Sequence, residues 1–168
     1  MHLIVDGYNV MHALPVDREW PGASFQDRRV NFLDRLGAYA AGRPHRITVV
    51  FDGAKGGDGM GGAETRGIIA VRFSPRGVEA DDLIRRMIEE AKTPGDLLVV
   101  SSDKAISGVA RSRGASTARG DELAIRLLAR PVASHRTAGD LIEERVKGVI
   151  PQGPRRSAPR SRSAHGLW

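Results

Sequence analysis

Four short apolar runs, three of which lead into an aspartate, limit what this chain can fold into more than any other feature. His2 to Val5 runs into Asp6, Ile47 to Phe51 into Asp52, and Asp96 to Val100 into Ser101-Ser102-Asp103; the fourth run is Gly67 to Phe73. Each is rich in β-branched residues and apolar at consecutive positions, the pattern of a strand buried on both faces. Segments of helical period lie between them. Ser24-Phe25-Gln26-Asp27 has the form of a capping box, and Phe25, Phe32, Leu33, Leu36 and Ala40 follow at helical spacing up to Gly42-Arg43-Pro44. Glu79 to Lys92 predicts a helix with Leu83, Met87, Ile88 and Ala91 inward. A helix capped by Ser102 or Asp103 and running through Arg111, a short strand at Ala115-Ser116-Thr117 and a helix over Asp121 to Ala129 complete the series. Strands alternating with helices predict an α/β fold, a mostly parallel sheet of four or five strands flanked by helices. Residues 6–23, punctuated by Pro15 and Pro21-Gly22, read as a loop, and so does 53–67 with its seven glycines.

With 168 residues the chain can bury a core without covalent staples, and it contains no cysteine. Disulfides, thiolate zinc sites and a cysteine nucleophile are therefore excluded. No apolar run approaches the ~20 residues needed to span a bilayer, and the N-terminus begins directly with the strand-like HLIVDG. A soluble, unexported, cytoplasmic protein with no membrane partner is the expectation. The net charge of +6 is unevenly placed. Residues 1–128 hold 18 Lys and Arg against 17 Asp and Glu, whereas 129–168 hold 8 against 3. The core pattern fades near Arg130; Ala138 to Ile150 predicts one more helix within 131–150, and 151–168 carries four Arg and no acid among Pro and Ser. That tail is expected to be disordered when free.

In a parallel α/β sheet, ligands gather outside the C-terminal ends of the strands, where strand order reverses. Asp6, Asp52 and Asp103 end three strands there, and Glu79-Ala80-Asp81-Asp82 opens a helix whose start must lie on the same edge. Taken singly, each acid has a plainer reading as a turn residue, an N-cap or a complement to the helix dipole. Taken together, converging carboxylates repel unless a cation compensates, and an oxygen-only ligand set suits Mg²⁺ or Mn²⁺ better than zinc.

The same residues carry a resemblance. IVDGYNVMH (4–12), VVFDG (49–53), RFSPRGVEADDLI (72–84), VVSSD (99–103) and GASTARGDEL (114–123) look like the YacP-like branch of NYN-domain proteins, relatives of PIN-domain nucleases. The likeness spans about 1–130 and implies a PIN-like three-layer sandwich with metal-dependent ribonuclease activity. It implies Asp6, Asp81 and Asp103 as metal carboxylates and Asn9 as the motif asparagine that orders Asp6 or a water. Glu79, Asp82 and Asp52 are secondary candidates. VEADD followed by VVSSDK also resembles flap-endonuclease-type 5′ nucleases, but Ala105 stands where that pattern places a second acid. Arg85 is a further departure, standing where YacP-like sequences often carry an acid.

An acidic polymer suits the basic residues: Arg72 and Arg76 near the rim, and Arg155, Arg156, Arg160 and Arg162 in the tail, are the candidate RNA contacts. RNA, alone or in RNA–protein assemblies, is the expected partner. Tyr8 reads equally as a base-stacking or a packing residue. The glycine-rich segment lacks the Gly-Lys-Ser/Thr ending of a P-loop, so no organic cofactor is expected. Two other classes fit less of the pattern. One is a non-catalytic RNA-binding module; the other is a phosphohydrolase with an aspartate nucleophile, which usually needs a second Asp where this chain has Tyr8.

Overall fold

A computed structural model describes residues 1–53 and 61–129. In chain order the elements are β1 (His2–Asp6), α1 (Gly7–Ala13), α2 (Val16–Glu19), α3 (Phe25–Ala40), β2 (Arg46–Phe51), β3 (Gly62–Arg66) and β4 (Ile69–Phe73). They continue with α4 (Ala80–Glu89), β5 (Leu97–Val100), α5 (Lys104–Ser112), β6 (Ser116–Ala118) and α6 (Gly120–Leu128). The expected helix at 131–150 and the basic tail at 151–168 lie outside the described residues.

The sheet has six strands in the order β3-β4-β2-β1-β5-β6. β1 pairs in parallel with β2 on one side and β5 on the other, with Asp6 opposite Val50 and Val5 opposite Val100. Strand order therefore reverses at β1, and Asp6 ends the strand at that crevice. Alternation sorts the strand residues into two cores. Leu3, Val5, Ile47, Val49, Phe51, Ile69, Val71 and Val100 share a core with residues of α1, α3 and α6. Ile4, Val50, Leu97 and Val99 share the other with Ile84 and Ile88 of α4 and Ile106 and Ala110 of α5. The result is a helix–sheet–helix sandwich, in which each fully buried Leu, Ile or Phe contributes about 1.5–3 kcal/mol relative to exposure.

Two segments expected to be loops are ordered elements. Residues 7–13 form α1, whose seven-residue length hides its period and whose Gly7 and Asn9 favour turns by propensity. Tertiary burial of Tyr8, Val10 and Met11 overrides that preference. Within 53–67, Gly62–Arg66 is β3, an antiparallel edge strand paired to β4. All five of its residues are exposed, so it carries no apolar signature. Gly67, at φ 58°, makes the turn between the two strands. β3 thus takes the sheet to six strands rather than four or five.

Candidate active site

The first carboxylate is built by its own helix. Asp6 is the N-cap of α1, its Oδ1 accepting the Asn9 backbone N–H at 3.2 Å. The helix can start this close to the sheet only because residue 7 is glycine. A Cβ there would meet Phe51 Cε1 at 2.3 Å, and Phe51 is fully buried. Tyr8 faces inward, 7 % exposed, its ring centroid 5.4 Å from Phe25 and 4.9 Å from Phe51. Its role is packing.

The second side of the site is the turn after β5. Ser101, 1 % exposed, donates from Oγ to Asp6 Oδ2 at 3.1 Å and accepts the Asp103 N–H at 3.1 Å. One buried hydroxyl thus ties two acids that are 97 positions apart in the chain, measured from Asp6 to Asp103. Asp103 caps α5, its Oδ1 accepting from Ile106 N–H at 2.9 Å. Asn9 fixes the same turn from the other side, its Oδ1 accepting the Ser102 N–H at 3.0 Å, while Ser102 Oγ accepts the Gly120 N–H at 3.1 Å. From the sequence Ser102 was an alternative cap for α5, a place that Asp103 takes, and Ser101 and Gly120 carried no role. The signal was present in the doubled serine before Asp103, but which hydroxyl turns inward depends on the sheet.

The third acid comes from α4. Asp81 sits in its first turn, with Arg85 Nη2 3.9 Å from its Oδ2. Burial raises the Asp6 pKa above the usual carboxylate range, and the charges of Asp81 and Asp103 push it further up against the two hydrogen bonds it accepts. Partial burial likewise raises Asp81, with Asp103 the foremost like charge. The fold therefore brings Asp6, Asp81 and Asp103 into electrostatic contact. The secondary candidates sit further out. Asp82 is held in an ion pair with Arg85 at 2.9 Å, and Glu79 acts on Asp81 rather than on Asp6. Asp52 ends β2 beside Tyr8, whose hydroxyl pKa its charge helps to raise after burial.

Among the described residues, no three His, Cys, Asp or Glu side chains are gathered tightly enough to form a ready metal cage. The donor chemistry fits Mg²⁺ nonetheless, because that ion dehydrates reluctantly and is usually held by one or two carboxylates plus waters.

The RNA candidates separate. Arg76 is exposed in the turn Pro75–Val78, immediately before the acid-bearing start of α4. Arg72, in the penultimate position of β4, stands opposite Val50 and so level with Asp6 along the sheet, yet it lines a cleft with His2 and Arg46 that opens toward the strand-start edge. Arg155, Arg156, Arg160 and Arg162 lie outside the described residues. Among the described residues, no helix is long and apolar enough to cross a membrane.

A sequence family described as YacP-like NYN domain matches residues 3–146. This chain belongs to that family. NYN domains are nuclease-like and RNA-related, and the fold agrees. The crystal structure of Rae1 (YacP) from Bacillus subtilis in a mutant form superimposes with a TM-score of 0.61 at 23% identity, covering 88% of this chain and 82% of that one. Rae1 (YacP) without that mutation gives 0.60 at 22% identity, covering 89% and 81%. Among curated proteins, none matches this chain.

Proposed function

We propose that this NYN domain is a metal-dependent endoribonuclease that hydrolyses RNA phosphodiester bonds. What carries the reading is the electrostatic coupling of Asp6, Asp81 and Asp103, which reach the carboxyl edge of β1 from three distant parts of the chain. The charges of Asp81 and Asp103 raise the proton affinity of Asp6, and that of Asp103 raises Asp81 against the opposing Arg85, a repulsion that a hard divalent cation relieves. These three acids would hold Mg²⁺ or Mn²⁺, directly or through its retained waters. Bound there, the ion would supply a water of lowered pKa and stabilise charge developing on the phosphodiester. Ser101 holds Asp6 and Asp103 in place and Asn9 anchors the turn that presents Asp103; Arg76, exposed just before α4, would meet a backbone phosphate. The basic tail adds sequence-independent attraction for RNA. The setting is cytoplasmic, with RNA or an RNA–protein assembly as partner and no organic cofactor.

The open spacing of the acids keeps a second reading in view, an RNA-binding module of the same fold without catalysis. Labelled single-stranded RNA incubated with Mn²⁺ or Mg²⁺ separates the two. Cleavage that is abolished by EDTA and by Asp6→Asn supports the nuclease. Intact RNA in every lane, with binding retained, assigns the module.

A further inference from the structure

At the strand-start edge of the sheet, away from the acids, lies a cleft of about 620 Å³. It opens between the first residues of β1 and β2, the end of α4 and the entry to β5. α4, ten residues long, runs from Asp81 near its start to this cleft at its end. At ~1.5 Å per residue that places the cleft about 15 Å from the acidic rim. The volume lies within the ~300–1,000 Å³ of small-molecule pockets.

Its wall carries charges of both signs. Arg46, Arg72 and Lys92 line it, together with Glu90 and Asp96. Among the described residues, none of these five is in an ion pair. Met87, Pro44 and Leu97 supply apolar wall. His2 is oriented into a single tautomer. Arg46 has only donors, so its Nη2, 3.3 Å from His2 Nδ1, makes that nitrogen the acceptor and leaves Nε2–H to donate to Thr48 Oγ1 at 2.9 Å. Burial lowers the His2 pKa, and the neighbouring Arg46 and Arg72 charges lower it further. The wall therefore offers guanidinium forks for an oxyanion, carboxylates for amino groups and an apolar face for a ring.

We propose that this cleft is a nucleotide site, separate from the acidic rim. Arg46 and Arg72 take the phosphate, Met87 and Pro44 pack against the base, and Glu90 or Asp96 accepts from an exocyclic amino group. Such a unit is supplied either by a free mononucleotide or by one residue of an RNA strand, and both present the same phosphate and base.

Isothermal titration calorimetry of the full chain in EDTA, with inorganic phosphate, CMP and UMP as probes, tests the site without a metal. CMP should bind at least tenfold more tightly than phosphate and several-fold more tightly than UMP, which lacks the amino group. Arg72→Ala, at an exposed position, should weaken CMP at least tenfold without lowering the melting temperature. Asp6→Asn should leave CMP affinity unchanged, so loss of the nuclease reading does not touch this one. The His2 ring resonances should titrate at higher pH with CMP bound, because the phosphate offsets Arg46 and Arg72. A short RNA that displaces CMP identifies the strand as the source; one that does not identifies the free nucleotide. Absence of CMP binding, phosphate binding as tight as CMP, or full affinity in Arg72→Ala would overturn the proposal.

Discussion

Replacing Gly120 by alanine tests the clamp that presents Asp103. Gly120 opens α6, and its φ is not in the left-handed region, so local helix propensity favours alanine there by up to ~1 kcal/mol. The tertiary contact says the opposite. A Cβ at this position would sit 2.3 Å from Asn9 Oδ1, the same atom that accepts the Ser102 N–H. Either the α6 start or the Asn9 amide must move. Overpacking of this kind costs about 1–3 kcal/mol, and losing the Asn9–Ser102 hydrogen bond adds roughly 0.5–1.5 kcal/mol. Less a propensity gain of ~1 kcal/mol, a net destabilisation of about 0.5–3.5 kcal/mol is expected. Urea denaturation followed by far-ultraviolet circular dichroism measures it, and a double-mutant cycle locates it. In the Asn9→Ala background the obstructing oxygen is gone, so Gly120→Ala should become nearly neutral, giving a coupling of at least ~1 kcal/mol. A Gly120→Ala protein as stable as wild type, or a cycle with no coupling, refutes the clamp.

Two further outcomes follow from the acid cluster. Ser101→Ala removes the hydroxyl shared by Asp6 and Asp103 and leaves the Asp103 N–H without its acceptor, for a loss of roughly 1–3 kcal/mol; under the nuclease reading it lowers kcat more than it raises KM. Asp6→Asn should stabilise the metal-free protein at neutral pH, and the gain should shrink on acidification. The reason is the raised pKa: the stability Asp6 contributes is complete below its unfolded value near 3.8 and is lost as pH rises through its higher folded value. Chemical denaturation in EDTA at pH 7 and near pH 4 reads the difference, and a gap that widens toward acid contradicts the burial of Asp6.

Much of the sheet was legible in the chain because parallel strands buried on both faces announce themselves as continuous apolar runs. β1, β2, β4 and β5 are such runs, and the ends of three of them located the acids. α3 was equally plain, since the Ser24 capping box is present with Ser24 and Asp27 bonded in both directions. α1 and β3 were not legible, for opposite reasons. α1 hides in a Gly- and Asn-containing stretch that becomes helical only by packing Tyr8, Val10 and Met11 into the core. β3 is polar on both faces and exists because β4 offers it an open edge.

By itself, then, the sequence determined the α/β class, the parallel strands and the acids Asp6, Asp52 and Asp103 that follow them, because burial pattern and strand-end position are local properties that can be counted along the chain; Asp81 was singled out by the family resemblance. Only the tertiary structure decided how those acids meet. It turned Tyr8 inward to packing and made Ser101 the shared hydroxyl between two acids. It also set Asn9 against Ser102 and Gly120, and gave Arg72 a place in the wall of the cleft beside His2 and Arg46. Each of those outcomes depends on a neighbour dozens of residues away, and no local spacing encodes such a contact.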